Sequence, residues 1–266
     1  MLKSKTMNIG LVLSGGGMRG AAHIGAIKAL EEHGIYPTHV AGTSAGAIVG
    51  ALYASGYKWD DILKFFKSTS VLDFTKYAIS KPGLLDADKF YNSFKKYFPE
   101  DNFSILKKDL QITATNILNG DLVVFNKGEL IKPILASAAF PGVFSPVKIN
   151  NSYYVDGGTL NNFPVELLKK QCDKIIGIYV NAFDTIDIKE LKHSHHVAER
   201  AFKLKSVKED YVKFKKCDLL VCPKGLDKYG TFDKKNLKHI FDSGYNTTID
   251  ALKTFDITKN LNKISN

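Results

Sequence analysis

The sequence predicts an α/β fold, with a mainly parallel sheet and helices on both of its faces. Three observations carry this. Strand-like and helix-like segments alternate along the 266 residues, the pattern of repeated strand–helix–strand crossovers. The runs "KIIGIYV" (174–180) and "DLLVC" (218–222) are apolar and β-branched without polar alternation, as in strands buried on both faces. Glycines cluster where strand-like runs give way to helical ones, at "SGGGMRG" (14–20) and "GTSAG" (42–46).

"NIGLVLS" (8–14) is the first strand. Lysines precede it, as in a signal peptide, but its apolar stretch of about five residues is shorter than such a segment needs. Gly20 to His33 reads as a helix that stops near Gly34, and "THVAGT" (38–43) as a second strand. Ser44 to Ala54 is a small-residue helix ended by Gly56. Two amphipathic helices follow, on Trp59, Ile62, Leu63 and Phe66, then on Phe90, Phe94, Tyr97 and Phe98. The aromatic density from Tyr57 to Phe103 fits core packing or an apolar cap.

"LQITATN" (110–116) and "DLVVFN" (121–126) pair around Asn119-Gly120, a hairpin turn signal. Glu129 to Phe140 is helical up to Pro141, and "VKINNSYYVDGG" (147–158) is a hairpin or a bent strand. Helices fill Leu191 to Lys216 and Lys234 to Phe255. In the first of these, Val197, Ala201, Leu204, Val207, Tyr211 and Phe214 form one apolar stripe, expected to be core. No repeat, low-complexity stretch or linker appears. The chain is read as one domain over 1–266, with 1–7 a flexible N-terminal tail.

Composition is that of a soluble globular protein, 44% hydrophobic and 24% charged, with no apolar run long enough to cross a membrane. The three cysteines, Cys172, Cys217 and Cys222, lack the spacing of a zinc site or a disulfide framework. They read as free thiols of a cytoplasmic protein. A net charge of +10 favours anionic partners. The lysines are scattered, and no nucleic-acid motif is present, so no nucleic-acid partner is expected. A transient peripheral contact with an anionic membrane surface is an expectation. Oligomeric state is left open.

Gly15, Gly17 and Gly20 fit G-x-G-x-x-G between a strand and a helix, the fingerprint of a dinucleotide site. That site also needs an acid at the end of the second strand, and "IYPTHVAGTS" (35–44) holds none. The second strand ends instead in G-x-S-x-G. Gly42 and Gly46 permit a turn so tight that Ser44 is thrust out at a helix N-terminus. If the two strands are neighbours, the glycine loop offers N–H donors beside Ser44, the arrangement of an oxyanion hole. A serine nucleophile needs a base. The histidines are His23, His33, His39, His193, His195, His196 and His239, and none stands in a glycine-rich turn at a strand end. Most read as surface or capping residues. Asp156 does stand in such a turn, before Gly157 and Gly158.

"GGGMRG", "GTSAG" and "DGG", in this order, resemble the patatin-like phospholipase family. The likeness extends to "KPGLLDADKF" (81–90), "ASAAFPGVFSPV" (136–147) and "YGTFD" (229–233), and so covers nearly the whole chain. The resemblance implies a three-layer α/β/α sandwich and a serine lipid acyl hydrolase working on lipid or ester substrates. It implies a Ser–Asp dyad without histidine, with Ser44 the nucleophile and Asp156 the base. Gly15, Gly16, Gly17 and Arg19 would form the oxyanion loop, closed by Gly20, with no metal and no cofactor. An acyltransferase with the same dyad, or a nucleotide-binding regulatory module, are the alternatives.

Overall fold

A computed structural model describes residues 7–68, 88–191, 194–231 and 233–257. "KPGLLDADKF" before Asp88 and Phe232 of "YGTFD" lie outside these. So do residues 1–6, whereas Met7 already packs against the core.

The centre is a sheet whose parallel part runs β3 (Asp109–Asn116), β2 (His39–Thr43), β1 (Ile9–Leu13), β7 (Lys174–Ile178), β8 (Leu219–Val221). From β1 the chain builds outward on one side through β2 and β3, and later on the other through β7 and β8. The gap between β1 and β7 is therefore a topological switch point, where loops diverge and leave a crevice. Strand alternation divides the core. Leu11, Leu13, Val40 and Ile176 face one side, and Val12, Ala41 and Ile175 the other. The first side is thickly covered by α1 (Ala21–Glu32), α2 (Ala45–Ala54), α3 (Trp59–Ser68), α4 (Asp88–Lys95), α5 (Ile131–Ser137) and α7 (Leu237–Leu252). The second is closed by Phe163, Val165, Leu168 and Phe214, with α6 (Ser194–Lys213) alongside. This is the expected three-layer sandwich, with unequal layers. Phe65, Phe66, Phe90, Phe94, Phe98 and Phe103 are buried, so the described part of the aromatic stretch is core.

The rest of the sheet is antiparallel. β4 (Leu122–Phe125) pairs with β3 through the predicted hairpin, and β5 (Val147–Ile149) with β6 (Ser152–Asp156) through another. β6 also pairs with β3, and the hydrogen bonds tell which edge it uses. On a strand, residues an even number apart turn their N–H to the same edge. Asp109 donates to Thr38 O, at the foot of β2, and Ile117 donates to Tyr153 O of β6. One edge of β3 thus serves β2 as far as Thr113 and β6 from Ala114 onward, while β4 takes the opposite edge. β2 runs with β3 and β6 against it. Their C-terminal ends therefore meet head to head, with Thr43 opposite Thr113 and Asp156 opposite Ala114.

Two helices are shorter than their patterns suggested. Residues Gly17–Gly20 form a 3-10 turn before α1, and α5 spans only Ile131–Ser137 before the chain turns towards Pro141. The larger correction is α6. Of the stripe expected to be core, Val207 is buried, but Val197 and Leu204 are each 50% exposed and Tyr211 41%. The inward face carries Lys203, Ser206 and Asp210 instead. The cause is what α6 packs against. Asn162 and Tyr179 OH both donate to Asp210, and Arg19 meets Glu199. Buried polar groups must find partners, and this demand outweighs the apolar stripe. Leu204→Ala is accordingly expected to change stability by about 0.5 kcal/mol or less. A core leucine costs about 2–5 kcal/mol in the same exchange. The midpoint of urea unfolding distinguishes the two.

Candidate active site

The meeting of β2 and β6 brings Ser44 to Asp156. Ser44 has φ 55° and ψ −122°, a region that non-glycine residues rarely occupy. The chain turns there from β2 straight into α2, and the strain is held by close packing. Gly46 lies so near β1 that a Cβ would run into Leu13 O. The Ser44 N–H donates to Ser137 Oγ at 2.8 Å, anchoring the turn to α5. On the other side, Thr43 Oγ1 lies 2.6 Å from Thr113 Oγ1 and donates to Asn161 O, five residues past Asp156. Asp156 is itself fixed by a 2.7 Å bond from Gly158 N–H and by Thr115 Oγ1 on its carbonyl.

Ser44 and Asp156 line one cavity, and the Ser44 hydroxyl favours the charged form of the Asp156 carboxylate. That carboxylate is 3% exposed. Burial pushes its pKa up to about 6, although the nearby Ser44 hydroxyl and the bond from Gly158 N–H favour the charged form.

The glycine loop leaves β1 beside this pair. A Cβ on Gly15 would sit 3.2 Å from Ser44 Cβ, so loop and serine are in contact. Gly17 has φ +58° with Thr231 O packed where a side chain would go. Of the four residues expected to supply oxyanion donors, two have their N–H groups committed. Gly15 donates to Asn162 O and Arg19 to Gly16 O. Gly16 and Gly17 stand at the start of the 3-10 turn, where N–H groups have no acceptor within it, and no bond from another loop takes them. Both line the same cavity as Ser44 and Asp156, of about 620 Å³ counting its open mouth.

Arg19 lines the Ser44 cavity, and its side chain is held by polar contacts. Its guanidinium, 4% exposed, bonds Tyr229 O at 2.9 Å, Asn181 Oδ1 at 3.1 Å and Thr231 Oγ1 at 3.4 Å. Glu199 lies at 3.6 Å. It ties the glycine loop to the segments after β7 and β8. Gly20 packs on Ala45, Gly42 faces Gly46 across the elbow, and Gly157 sits on Thr113.

Sequence reasoning missed three contributors. His23 is fully buried, not a surface residue, and its Nε2 meets Ser14 O at 2.8 Å. Burial lowers its pKa to about 4, so at neutral pH it is a neutral donor bracing the loop. Asn162 caps Gly15 and lines the cavity, and Ser137 holds the Ser44 turn. Only the pair Asn161–Asn162 just past "DGG" hinted at any of these. His33 and His239 are exposed, and His39 pairs with Asp109 at the opposite end of β2. His193 and the side chains of His195 and His196 lie outside the described residues.

The three free thiols, half-buried, lie away from the Ser44 cavity. No described helix is long and apolar enough to cross a membrane.

The raised pKa of Asp156 has a thermodynamic signature. A carboxyl that titrates higher when folded stabilises the fold below its unfolded pKa, and that contribution fades as pH rises through the folded value. The stability of the wild type relative to Asp156→Asn should therefore fall by about 2–3 kcal/mol between about pH 4 and pH 7. Urea unfolding of both proteins across this range measures it, and a constant difference refutes the shift.

Comparison with known proteins identifies the family. A model of the patatin-like phospholipase family matches residues 11–169. An uncharacterized NTE family protein of Mycobacterium tuberculosis is 34% identical over 165 residues, covering 61% of this chain and 46% of that protein. A lysophospholipase NTE1 of Meyerozyma guilliermondii is 35% identical over 185 residues, covering 66% of this chain and 13% of that one. The chain thus spans less than half the length of these relatives. The crystal structure of VipD from Legionella pneumophila superposes on 94% of this chain and 67% of its own, with TM-score 0.62 and 16% identity, a likeness of fold. The chain belongs to the patatin-like phospholipase family.

Proposed function

We propose that the protein is a serine lipid acyl hydrolase of phospholipase A type, with Ser44 the nucleophile and Asp156 its base. The observation that carries this is that Ser44, on its strained strand-to-helix turn, shares one cavity with the buried Asp156 carboxylate and with Gly16 and Gly17. Ser44 Oγ attacks the ester carbonyl and passes its proton to Asp156. The carbonyl oxygen becomes negative, and each glycine N–H aimed at it is worth about 3–4 kcal/mol. The intermediate collapses, the alcohol leaves with the proton from Asp156, and an acyl-serine remains. Water, deprotonated by Asp156, releases the acid. A carboxyl with pKa about 6 is a better base than an ordinary one, and still a usable proton donor to an alkoxide. No imidazolium assists a poorer leaving group, which favours esters over amides.

Ala45, Ile48, Ala138, Phe140 and Phe144 form the apolar wall of the cavity and suit an acyl chain. The nucleotide-binding alternative fares worse, because Ser44 and its elbow occupy the position where a ribose-binding acid would end β2. Hydrolysis and acyl transfer differ only in whether water or another alcohol meets the acyl-serine.

Soluble p-nitrophenyl esters should be hydrolysed without added metal or cofactor, and Ser44→Ala should abolish this. Asp156→Asn should lower turnover by about a thousandfold or more with the fold retained. Wild-type kcat/KM should rise with pH through about 6, as the base ionises. Alanine at His193, His195, His196 or His239 should leave most activity. A flat pH profile, a near-normal Asn variant, or one inactive but folded His variant defeats the dyad.

A transient contact with anionic membrane is part of this reading. Ile117 and Leu118, at the end of β3 on the same side as Ser44, are 51% and 64% exposed, and the net charge is +10. Hydrolysis of anionic vesicles should fall between low and high salt, while turnover of a soluble ester barely changes. Equal salt sensitivity refutes the contact.

A further inference from the structure

A second cavity, of about 690 Å³, adjoins the Ser44 cleft, and the two share a wall made of Arg19, Glu199 and Lys203. These three residues differ in one respect. Arg19 is consumed by Tyr229, Thr231, Asn181 and Glu199, and Glu199 by Arg19 and Thr231. Among the described residues, Lys203, 7% exposed, has neither a hydrogen bond from its Nζ nor a carboxylate within ion-pair distance. Its Nζ lies 5.8 Å from the centre of the Phe183 ring.

The charged groups facing Lys203 come from every segment around it. Arg19 from the glycine loop and Arg200 from α6 repel it, while Glu199 from α6 and Asp227 from the segment after β8 attract it. Asp184, after β7, also feels it. Of these acids, Glu199 is already held by Arg19 and Thr231. An anionic ligand at Nζ would give this ammonium the partner that it lacks among the described residues.

We propose that Lys203 receives the phosphate ester of the substrate's headgroup, so that the enzyme selects phospholipids and lysophospholipids over neutral glycerides. This rests on the hydrolase reading above. The lining of the cleft is of two kinds. Ala45, Ile48 and Phe144 suit the acyl chain, and Arg19 and Lys203 are cationic. A glycerophosphate ester whose carbonyl reaches Ser44 then directs its phosphate to Lys203 and the rest of its headgroup into the second cavity, beside Arg200 and Lys228.

The kinetic test compares lysophosphatidylcholine with a monoacylglycerol of the same chain, both below their aggregation limits, on wild type, Lys203→Met and Lys203→Arg. The ratio of the two kcat/KM values should fall by about tenfold or more in the Met protein and stay near wild type in the Arg protein. Burial, with Arg19, lowers the Lys203 pKa to about 7. The wild-type ratio should therefore decline from pH 6 to pH 8 as the ammonium loses its proton, and the Arg protein should show no decline. Both substrates share Asp156, so its titration cancels in the ratio. An unchanged ratio in the Met protein overturns the proposal. If that protein does not fold, a wild-type ratio that is flat with pH does so.

Binding is read separately, on Ser44→Ala with and without Lys203→Met, by phosphorus NMR titration of lysophosphatidylcholine and of inorganic phosphate. About tenfold weaker lysolipid binding without Lys203 supports the headgroup site even if no ester is hydrolysed, which would defeat the hydrolase reading alone. Inorganic phosphate binding as tightly as the lysolipid would mean an isolated phosphate site and overturn the proposal.

Discussion

The site depends on a shared strand edge. β3 offers one row of hydrogen-bonding groups to two strands in succession, β2 up to Thr113 and β6 from Ala114. Because β2 runs parallel and β6 antiparallel, both end at the same point, and each ends in a glycine-bounded turn. Backbone hydrogen bonds thus set the approach of Ser44 to Asp156 before any side chain is considered. The Thr43–Thr113 hydroxyl pair and the bond from Thr43 to Asn161 lock this junction from within. A pair built on rigid strand ends is held more narrowly than one built on loops, which suits a reaction sensitive to fractions of an ångström.

A second layer of polar contacts holds the glycine loop against this pair. His23 braces Ser14 O from α1, Asn162 takes the Gly15 N–H, and Arg19 reaches across to the segments after β7 and β8. Each satisfies a buried polar group that the sharp turn would otherwise strand. The same demand turns the polar side of α6 inward, which leaves Val197, Leu204 and Tyr211 at the surface. The apolar exposure of α6 and the polar interior beneath it thus have one cause.

The proposed role of Asp156 as a base rests on its burial. In water it would be protonated only in acid and would accept the serine proton poorly. Removing it from solvent raises its affinity for a proton, and the bond from Gly158 N–H holds it in place. The same burial disfavours the ionised form in the folded state, so activity and stability draw on Asp156 in opposite directions.

Much was legible from residues alone. The order of strands and helices, the β3–β4 and β5–β6 hairpins, the glycine loop, the elbow at Ser44 and the turn at Asp156 are all local patterns. Glycines mark backbone approaches no side chain permits, and alternation or helical spacing marks the buried faces. What the chain decided only on folding involves partners far apart in sequence. Which glycine N–H groups stay free depends on Asn162 taking the one at Gly15. The burial of His23, the inverted face of α6 and the isolation of Lys203 depend on which polar groups meet in the interior. Periodicity reports where apolar side chains recur, whereas the pairing of buried polar groups is a property of complementary surfaces, and those exist only once the sheet has assembled.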